Sequence, residues 1–136
     1  MSGEYFLDTN ILLYRYSEQD LQKRPITANL LESGKAMASV QVLNEFCNVI
    51  RRKFPAAYPQ IDVTLAEIQG LLPIMSLDTI DTSNAVRISH RYGFSYYDSL
   101  ILAAADRHGC DIVLTEDMQD GMILDSGLRI INPFLL

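Results

Sequence analysis

The sequence has no long hydrophobic run, few cysteines and no excess of basic residues. Its longest aliphatic stretch, residues 100–105, is far shorter than the roughly 20 residues that cross a bilayer, so we expect no membrane span. Residues 1–4 contain neither a basic nor an apolar signal region, which favours a cytoplasmic protein over a secreted one. The two cysteines, Cys47 and Cys110, form no CxxC motif, which favours reduced, buried thiols over a disulfide framework.

Linkers, repeats and runs of like charge are also lacking. The 136 residues match the size of one ordinary domain, about 100–150 residues, so we expect a single domain over residues 1–136. Basic residues number only 11 against 17 acidic ones, which gives a net charge of −6. Spread evenly over the surface, that charge would argue against a nucleic-acid partner, because phosphate binding normally needs a basic footprint.

Short apolar runs alternate with helical patterns along the chain. This alternation predicts an α/β fold with a central, mostly parallel β-sheet flanked by helices on both faces. Strands are expected at residues 4–7, 37–40, 74–77, 112–115 and 128–131. Helices are expected at residues 26–34, 42–53, 61–72, 82–92 and 96–108, with a further helix beginning near Ile11. The segment 96–108 is apolar on nearly every face, which predicts a central buried helix.

Acidic residues follow several of the expected strands. In open α/β sheets, ligands bind beyond the carboxyl ends of the strands, so these acids are the first candidates for a site. The candidates are Asp8, Glu45, Asp98, Asp117 and Asp120. If they converge, their mutual repulsion in a partly desolvated site requires a divalent cation. Oxygen ligands of this kind favour Mg²⁺ or Mn²⁺.

Each acid also has a structural interpretation. Asp8 can cap the helix that follows it, and Asp98 fits a capping box with Ser95. Glu45 can pair with Arg52, and the acids after the fourth strand can form an ordinary surface turn. Independent capping or surface acids have no reason to lie at the same end of one sheet. Taken together, they therefore favour a functional site.

The motifs that carry these acids resemble the PIN-domain family. They are Asp8-Thr9-Asn10 after a hydrophobic strand, Glu45 on the next helix, Tyr97-Asp98-Ser99-Leu100 leading an Ala-rich helix, and Thr115-Glu116-Asp117 after a late strand. Within the family, the length and the stretch 116–121 look most like the VapC-type toxins of bacterial toxin–antitoxin systems. The resemblance covers residues 5–134.

The resemblance implies a PIN-like fold and an endoribonuclease that hydrolyses RNA phosphodiester bonds with a water activated by Mg²⁺ or Mn²⁺. The implied catalytic and metal-binding acids are Asp8, Glu45, Asp98 and Asp117, with Asp120 as an additional metal ligand. Asn10 and Thr115 match polar positions that would support these ligands. Which of Glu116, Asp117 and Asp120 is the fourth ligand stays open, although Asp117 fits the family's Thr-x-Asp pattern.

The resemblance also implies partners. It points to a homodimer that is inhibited by a small antitoxin, whose C-terminal segment lies over the acidic groove and whose own domain binds DNA. Helices at residues 26–31 and 61–72 have apolar faces that suit either interface, although such faces usually pack on the core.

Positive charge for an RNA backbone is available in two clusters. The first is Arg51, Arg52 and Lys53, beyond Glu45 on the same expected helix, and the second is Arg87 and Arg91. Both clusters are also consistent with solvated helix ends. Tyr96 and Tyr97 can stack bases, but aromatic residues at the start of a buried helix usually belong to the core, so we expect them there.

Two other functions remain open. A phosphatase-like or receiver-like domain also places an aspartate after its first strand, but Asp8-Thr9-Asn10 lacks the second aspartate of the phosphatase DxD motif. The only lysines are Lys23, Lys35 and Lys53, so none follows a late strand. A non-catalytic PIN-like binding module is the other alternative, and the presence of every expected acid argues against it.

The acidity of the chain is concentrated in the candidate ligands. Without these five acids, 12 acidic residues face 11 basic ones, so the rest of the chain is nearly neutral. We therefore interpret the net charge of −6 as a local metal-binding site that two divalent cations would largely neutralise. On this interpretation the acidic composition does not exclude an RNA substrate.

Overall fold

A computed structural model describes residues 3–18 and 20–136. Its strands are β1 (Tyr5–Leu7), β2 (Ala36–Ser39), β3 (Ile74–Met75), β4 (Ile112–Leu114) and β5 (Arg129–Ile131). Its helices are α1 (Thr9–Tyr16), α2 (Lys23–Glu32), α3 (Val40–Lys53), α4 (Ile61–Leu71), α5 (Thr79–Tyr92) and α6 (Tyr96–Arg107). The predicted α/β fold is confirmed.

The five strands form one parallel sheet in the order β3-β2-β1-β4-β5. The chain moves outward from β1 to β2 and β3, and then crosses to β4 and β5 on the other side of β1. Because crossovers between parallel strands are right-handed, this reversal places α1 to α4 on one face of the sheet and α5 and α6 on the other. A crevice is expected between the carboxyl ends of β1 and β4, where the direction changes.

Several element boundaries differ from the expected ones for local reasons. Helix α5 begins at Thr79 rather than residue 82, because Asp78 caps it. The side chain of Asp78 accepts from the backbone N–H of Asp81, and the N–H of Asp78 donates to Asp81 Oδ2 over 2.9 Å, so the two residues form a capping box. Helix α2 begins at Lys23, with Pro25 in its first turn, where backbone N–H groups have no helical partner. Strand β3 has two residues instead of the expected four.

The core lies on both sides of the central strands. Phe6 on β1 and Phe46 on α3 are fully buried, and residues 99–105 of α6 are all buried, which confirms α6 as a central buried helix. Both cysteines are free thiols; Cys110 is buried as expected, whereas Cys47 is only partly buried. Among the described residues, no helix has the length and apolar character needed to cross a membrane.

Candidate active site

Asp8 lies at the junction of β1 and α1 and is only 5% exposed. It caps α1, because its Oδ1 accepts a hydrogen bond of 2.7 Å from the N–H of Thr9. Its Oδ2 accepts a hydrogen bond of 2.8 Å from the hydroxyl of Thr115. Since Thr115 follows β4, this bond joins the carboxyl ends of two adjacent strands. Asp8 therefore acts as a helix cap and also lies in the crevice.

The environment of Asp8 opposes its ionisation. The pKa of Asp8 is raised from 3.8 to about 6, and burial is the largest cause. The hydrogen bonds from Thr115 and from the N–H of Thr9 lower this pKa, whereas the neighbouring charges of Glu45 and Asp98 raise it further. Three acids from distant parts of the sequence thus interact electrostatically.

Glu45 lies on α3 with a donor for each of its carboxylate oxygens. The hydroxyl of Thr9 donates to Glu45 Oε2 over 2.7 Å, and the amide Nε2 of Gln41 donates to Oε1 over 3.0 Å. The two donors fix the orientation of the carboxylate. The sequence had suggested Arg52 as a structural partner, but Thr9 and Gln41 occupy that role.

Asp98 lies in the first turn of α6. Its N–H donates to the hydroxyl oxygen of Ser95 over 3.2 Å, so the expected capping role of Ser95 is confirmed. Burial raises the pKa of the Asp98 carboxyl, and the charges of Asp117 and Glu45 raise it further. The Asp98 carboxylate therefore lies close enough to both acids to be repelled by them.

Asp117 is connected to Asp8 through two polar side chains. The amide Nδ2 of Asn10 donates to Asp117 Oδ2 over 2.9 Å and to the hydroxyl oxygen of Thr115 over 3.3 Å. The N–H of Asp117 also donates to that oxygen over 3.2 Å. Asn10 and Thr115, the two supporting residues suggested by the sequence, thus form the polar bridge between the acids.

The other acids after β4 have partners elsewhere. Glu116 forms a 2.8 Å ion pair with Lys23 and accepts a hydrogen bond from the hydroxyl of Tyr14. Asp120 Oδ1 accepts a hydrogen bond of 2.7 Å from the N–H of Asn132. Neither acid is among the residues that line the cavity described next.

One cavity of about 540 Å³, the carboxylate cavity, contains the four remaining acids. It is lined by Asp8, Glu45, Asp98 and Asp117 and also by Arg52 and Lys53. Within residues 3–18 and 20–136, no three acidic, histidine or cysteine side chains form a ready-made metal cluster. The acids supply only oxygen donors, and their mutual repulsion is the kind that a divalent cation relieves. The donor set thus fits a hard cation.

The other basic candidates lie away from these acids. The guanidinium of Arg51 lies 5.8 Å from the centre of the Tyr58 ring. On α5, Arg87 contacts Asn84, and Arg91 forms a 3.2 Å ion pair with Asp125. These arginines do not line the carboxylate cavity.

The sequence-based view of the tyrosines was wrong. Tyr97 is 64% exposed and Tyr96 is 38% exposed, although both were expected in the core. They precede the buried part of α6, so their side chains stay at the surface. Sequence reasoning also missed Gln41, although its i,i+4 spacing from Glu45 was a usable signal for a side-chain pair.

Comparisons with known proteins agree with this architecture. The family model described as PIN domain matches residues 5–119. A toxin–antitoxin complex from Klebsiella pneumoniae has a TM-score of 0.71 at 18% identity, with 96% of this chain and 98% of that chain covered. For VapC20 of Mycobacterium tuberculosis, a toxin that cleaves the sarcin-ricin loop, the TM-score is 0.65 at 17% identity, with 81% and 87% covered.

A third solved structure is the DNA-bound VapBC of Salmonella typhimurium. Its TM-score is 0.64 at 20% identity, with 93% of this chain and 96% of that chain covered. At these identities the likeness to solved structures is one of fold. A search of curated proteins finds no match to the sequence.

Proposed function

Because this chain belongs to the PIN-domain family, whose proteins are nucleases, we propose that it is an endoribonuclease dependent on Mg²⁺ or Mn²⁺. One observation carries the proposal. Acids from four separate parts of the chain line a single cavity beside the carboxyl ends of β1 and β4. The proposed catalytic and metal-binding residues are Asp8, Glu45, Asp98 and Asp117.

In this proposal Asp8 and Asp98 bind the cation directly, and the other two acids bind it directly or through water. A divalent cation bound there supplies a water of lowered pKa and neutralises charge on the phosphate. The donors Thr9 and Thr115 favour the charged form of Asp8, which is the form that binds a cation. Asp120 is left out of the proposed ligand set, because its carboxylate tethers Asn132 instead.

The RNA backbone needs positive charge near these acids. Arg52 and Lys53 line the carboxylate cavity, so we assign them to phosphate contacts. Arg51 lies on the same helix but is placed over Tyr58, and the pair Arg87 and Arg91 lies on α5. We therefore expect these three arginines to contribute less to RNA binding.

We further propose that the protein is the cytoplasmic toxin of a type II toxin–antitoxin pair, forms a homodimer and is inhibited by a small antitoxin that has its own DNA-binding domain. Solved structures of similar fold are toxin–antitoxin complexes, some of them bound to DNA. An apolar groove of about 750 Å³, lined by Phe46, Ile50 and Ile61 among others, supports the antitoxin site. The groove shares Lys53 and Phe54 with the carboxylate cavity, so a bound segment would lead into it.

The nuclease proposal is tested by incubating the purified protein with total RNA and Mg²⁺ or Mn²⁺. We expect cleavage that EDTA abolishes and that Asp8→Asn reduces by about 100-fold or more. Asp62→Asn is the matched control, because Asp62 is an exposed acid on α4 outside the cavity. Cleavage that persists in EDTA would contradict metal dependence.

The same preparation separates the alternatives. Hydrolysis of a phosphate monoester without RNA cleavage would indicate the phosphatase-like function. No metal-dependent activity on either substrate would indicate a non-catalytic binding module. For the toxin role, we expect expression of the parent protein to arrest bacterial growth and Asp98→Asn to relieve the arrest.

A further inference from the structure

A second cavity lies beside the carboxylate cavity and has no role in the proposed chemistry. This tyrosine cavity, of about 700 Å³, is lined by Gln41, Asn44 and Tyr97 and by the apolar side chains Val40, Leu77 and Leu100. Glu45 lines both cavities, so the two are neighbours along α3. The tyrosine cavity therefore lies next to the position proposed for the scissile phosphate.

Tyr97 provides a flat aromatic surface in this cavity. Its side chain is 64% exposed, although it immediately precedes Asp98. The ring of Tyr96 packs edge-on against it, with 5.4 Å between the ring centres and an interplanar angle of 77°. Exposed aromatic rings beside a backbone-binding site are the usual stacking platforms for the bases of single-stranded nucleic acid.

Gln41 links Tyr97 to the carboxylate cavity. The residue is only 7% exposed, and its Nε2 donates to Glu45 Oε1 over 3.0 Å and to the carbonyl oxygen of Tyr97 over 3.1 Å. These two bonds hold the backbone of Tyr97 at a defined position relative to the carboxylate of Glu45.

We propose that the tyrosine cavity is a nucleobase subsite, in which one base next to the cleaved phosphodiester stacks on Tyr97. The inference rests on the proposed nuclease function. Every base has a flat face that can stack on an aromatic ring, so the subsite selects unpaired nucleotides rather than one particular base.

The position of Arg52 on α3 is consistent with this arrangement. Gln41, Glu45 and Arg52 follow one another along one face of α3, with spacings of four and seven residues. The rise from Gln41 to Arg52 is about 16 Å at 1.5 Å per residue. One helix face thus carries, in this order, a residue that lines the tyrosine cavity, one acid of the carboxylate cavity and a basic residue proposed to contact phosphate.

The experiment measures stacking without cleavage. In an Asp8→Asn background with Mg²⁺, the Kd of a fluorescein-labelled hexamer of adenylate is measured by anisotropy. We expect Tyr97→Ala to weaken binding by about 5- to 150-fold, and Tyr97→Phe, which keeps the ring, to leave the Kd unchanged. An abasic oligomer of the same length should bind equally to all three proteins. An unchanged Kd for adenylate in Tyr97→Ala overturns the proposal.

Failure of the subsite and failure of the nuclease function give different results. RNA cleavage by the parent with binding that does not depend on Tyr97 overturns the subsite alone. Binding that depends on Tyr97, without cleavage by the parent protein, supports the subsite and overturns the nuclease function. If Tyr97→Ala weakens binding of a protein partner but not of RNA, the cavity belongs to a protein interface and the subsite is overturned.

Discussion

Thr115 donates a hydrogen bond to Asp8 across the gap between β1 and β4, with 2.8 Å between Thr115 Oγ1 and Asp8 Oδ2. The two residues are 107 positions apart in sequence but follow adjacent strands. Burial is the largest influence on the pKa of Asp8, and this hydrogen bond is the largest one that opposes it. Thr115 therefore helps Asp8 to stay charged in a desolvated position.

Replacing Thr115 tests this relationship directly. In Thr115→Val, the charged form of Asp8 loses a donor, so we expect its pKa to rise further above about 6. Thr115→Ser keeps the hydroxyl and should leave the pKa near the parent value. Carboxyl ¹³C NMR titration of the metal-free proteins measures both. Equal pKa values in the parent and Thr115→Val would contradict the assigned role.

The stability of the metal-free protein should depend on pH through Asp8. Its pKa is about 6 in the folded protein and 3.8 ordinarily, so between these pH values the folded state binds more protons than the unfolded state. Stability therefore falls as the pH rises from about 4 to about 6. We expect Asp8→Asn to stabilise the metal-free protein at pH 7 by up to about 3 kcal/mol, and much less at pH 4. Urea unfolding in EDTA measures this, and an equal gain at both pH values would refute it.

Metal binding should offset the destabilisation that the buried, charged Asp8 causes. We expect Mg²⁺ or Mn²⁺ to raise the Tm of the parent more at pH 8 than at pH 5, because a protonated Asp8 binds a cation poorly. Asp8→Asn should show a much smaller shift at pH 8, whereas Asp62→Asn should behave like the parent. Thermal unfolding with and without the cation provides the measurement. Equal shifts at both pH values would argue against the site.

The basic residues of the carboxylate cavity should dominate RNA binding. Arg52→Ala combined with Lys53→Ala is expected to weaken binding and to reduce the slope of log K against log salt by up to about 1.4, since each phosphate contact on a single strand contributes about 0.7. The matched pair Arg87→Ala and Arg91→Ala removes the same charge from α5 and should change the slope less. Equal slopes for the two double variants would contradict the assignment of Arg52 and Lys53 to phosphate contacts.

An ion pair away from the site should contribute to stability but not to RNA cleavage. Asp81 is fully buried, and its carboxylate accepts hydrogen bonds of 2.7 and 2.8 Å from Arg107. Arg107→Met leaves that carboxylate without its cation, so we expect the free energy of unfolding to fall. The neighbouring change Asp106→Asn is the control. RNA cleavage per folded molecule should be unchanged, and a specific loss of activity would contradict a purely structural role.

The pair also has a defined pH dependence. Arg107 lowers the pKa of Asp81, so the stability that the pair contributes is present above the ordinary pKa and is lost as the pH falls through the lower folded value. The contribution of Asp81 to stability is thus lost as the pH falls, whereas that of Asp8 is lost as the pH rises. Urea unfolding of Arg107→Met and of the parent protein at acidic pH separates the contribution of Asp81 to stability from that of Asp8.

Much of the fold was predictable because its signals are local. The alternation of strands and helices follows from short apolar runs and helical periodicity, and the buried character of α6 follows from its apolar sequence. The early start of α5 was missed, although Asp78 and Asp81 form a recognisable capping box. The shortness of β3 was not predictable, because strand length depends on pairing with β2.

The candidate site was predictable only in part. Local sequence patterns alone indicated which acids follow strands, because strand ends and turn residues are encoded locally. Tertiary structure decided which of them share a cavity. Glu116 forms an ion pair with Lys23, and Asp120 accepts a hydrogen bond from the backbone N–H of Asn132. Both partners lie outside the motif that contains the acids. Side-chain direction at the end of β4 is set by such distant partners, so only the folded chain leaves Asp117 facing Asp98 across the cavity.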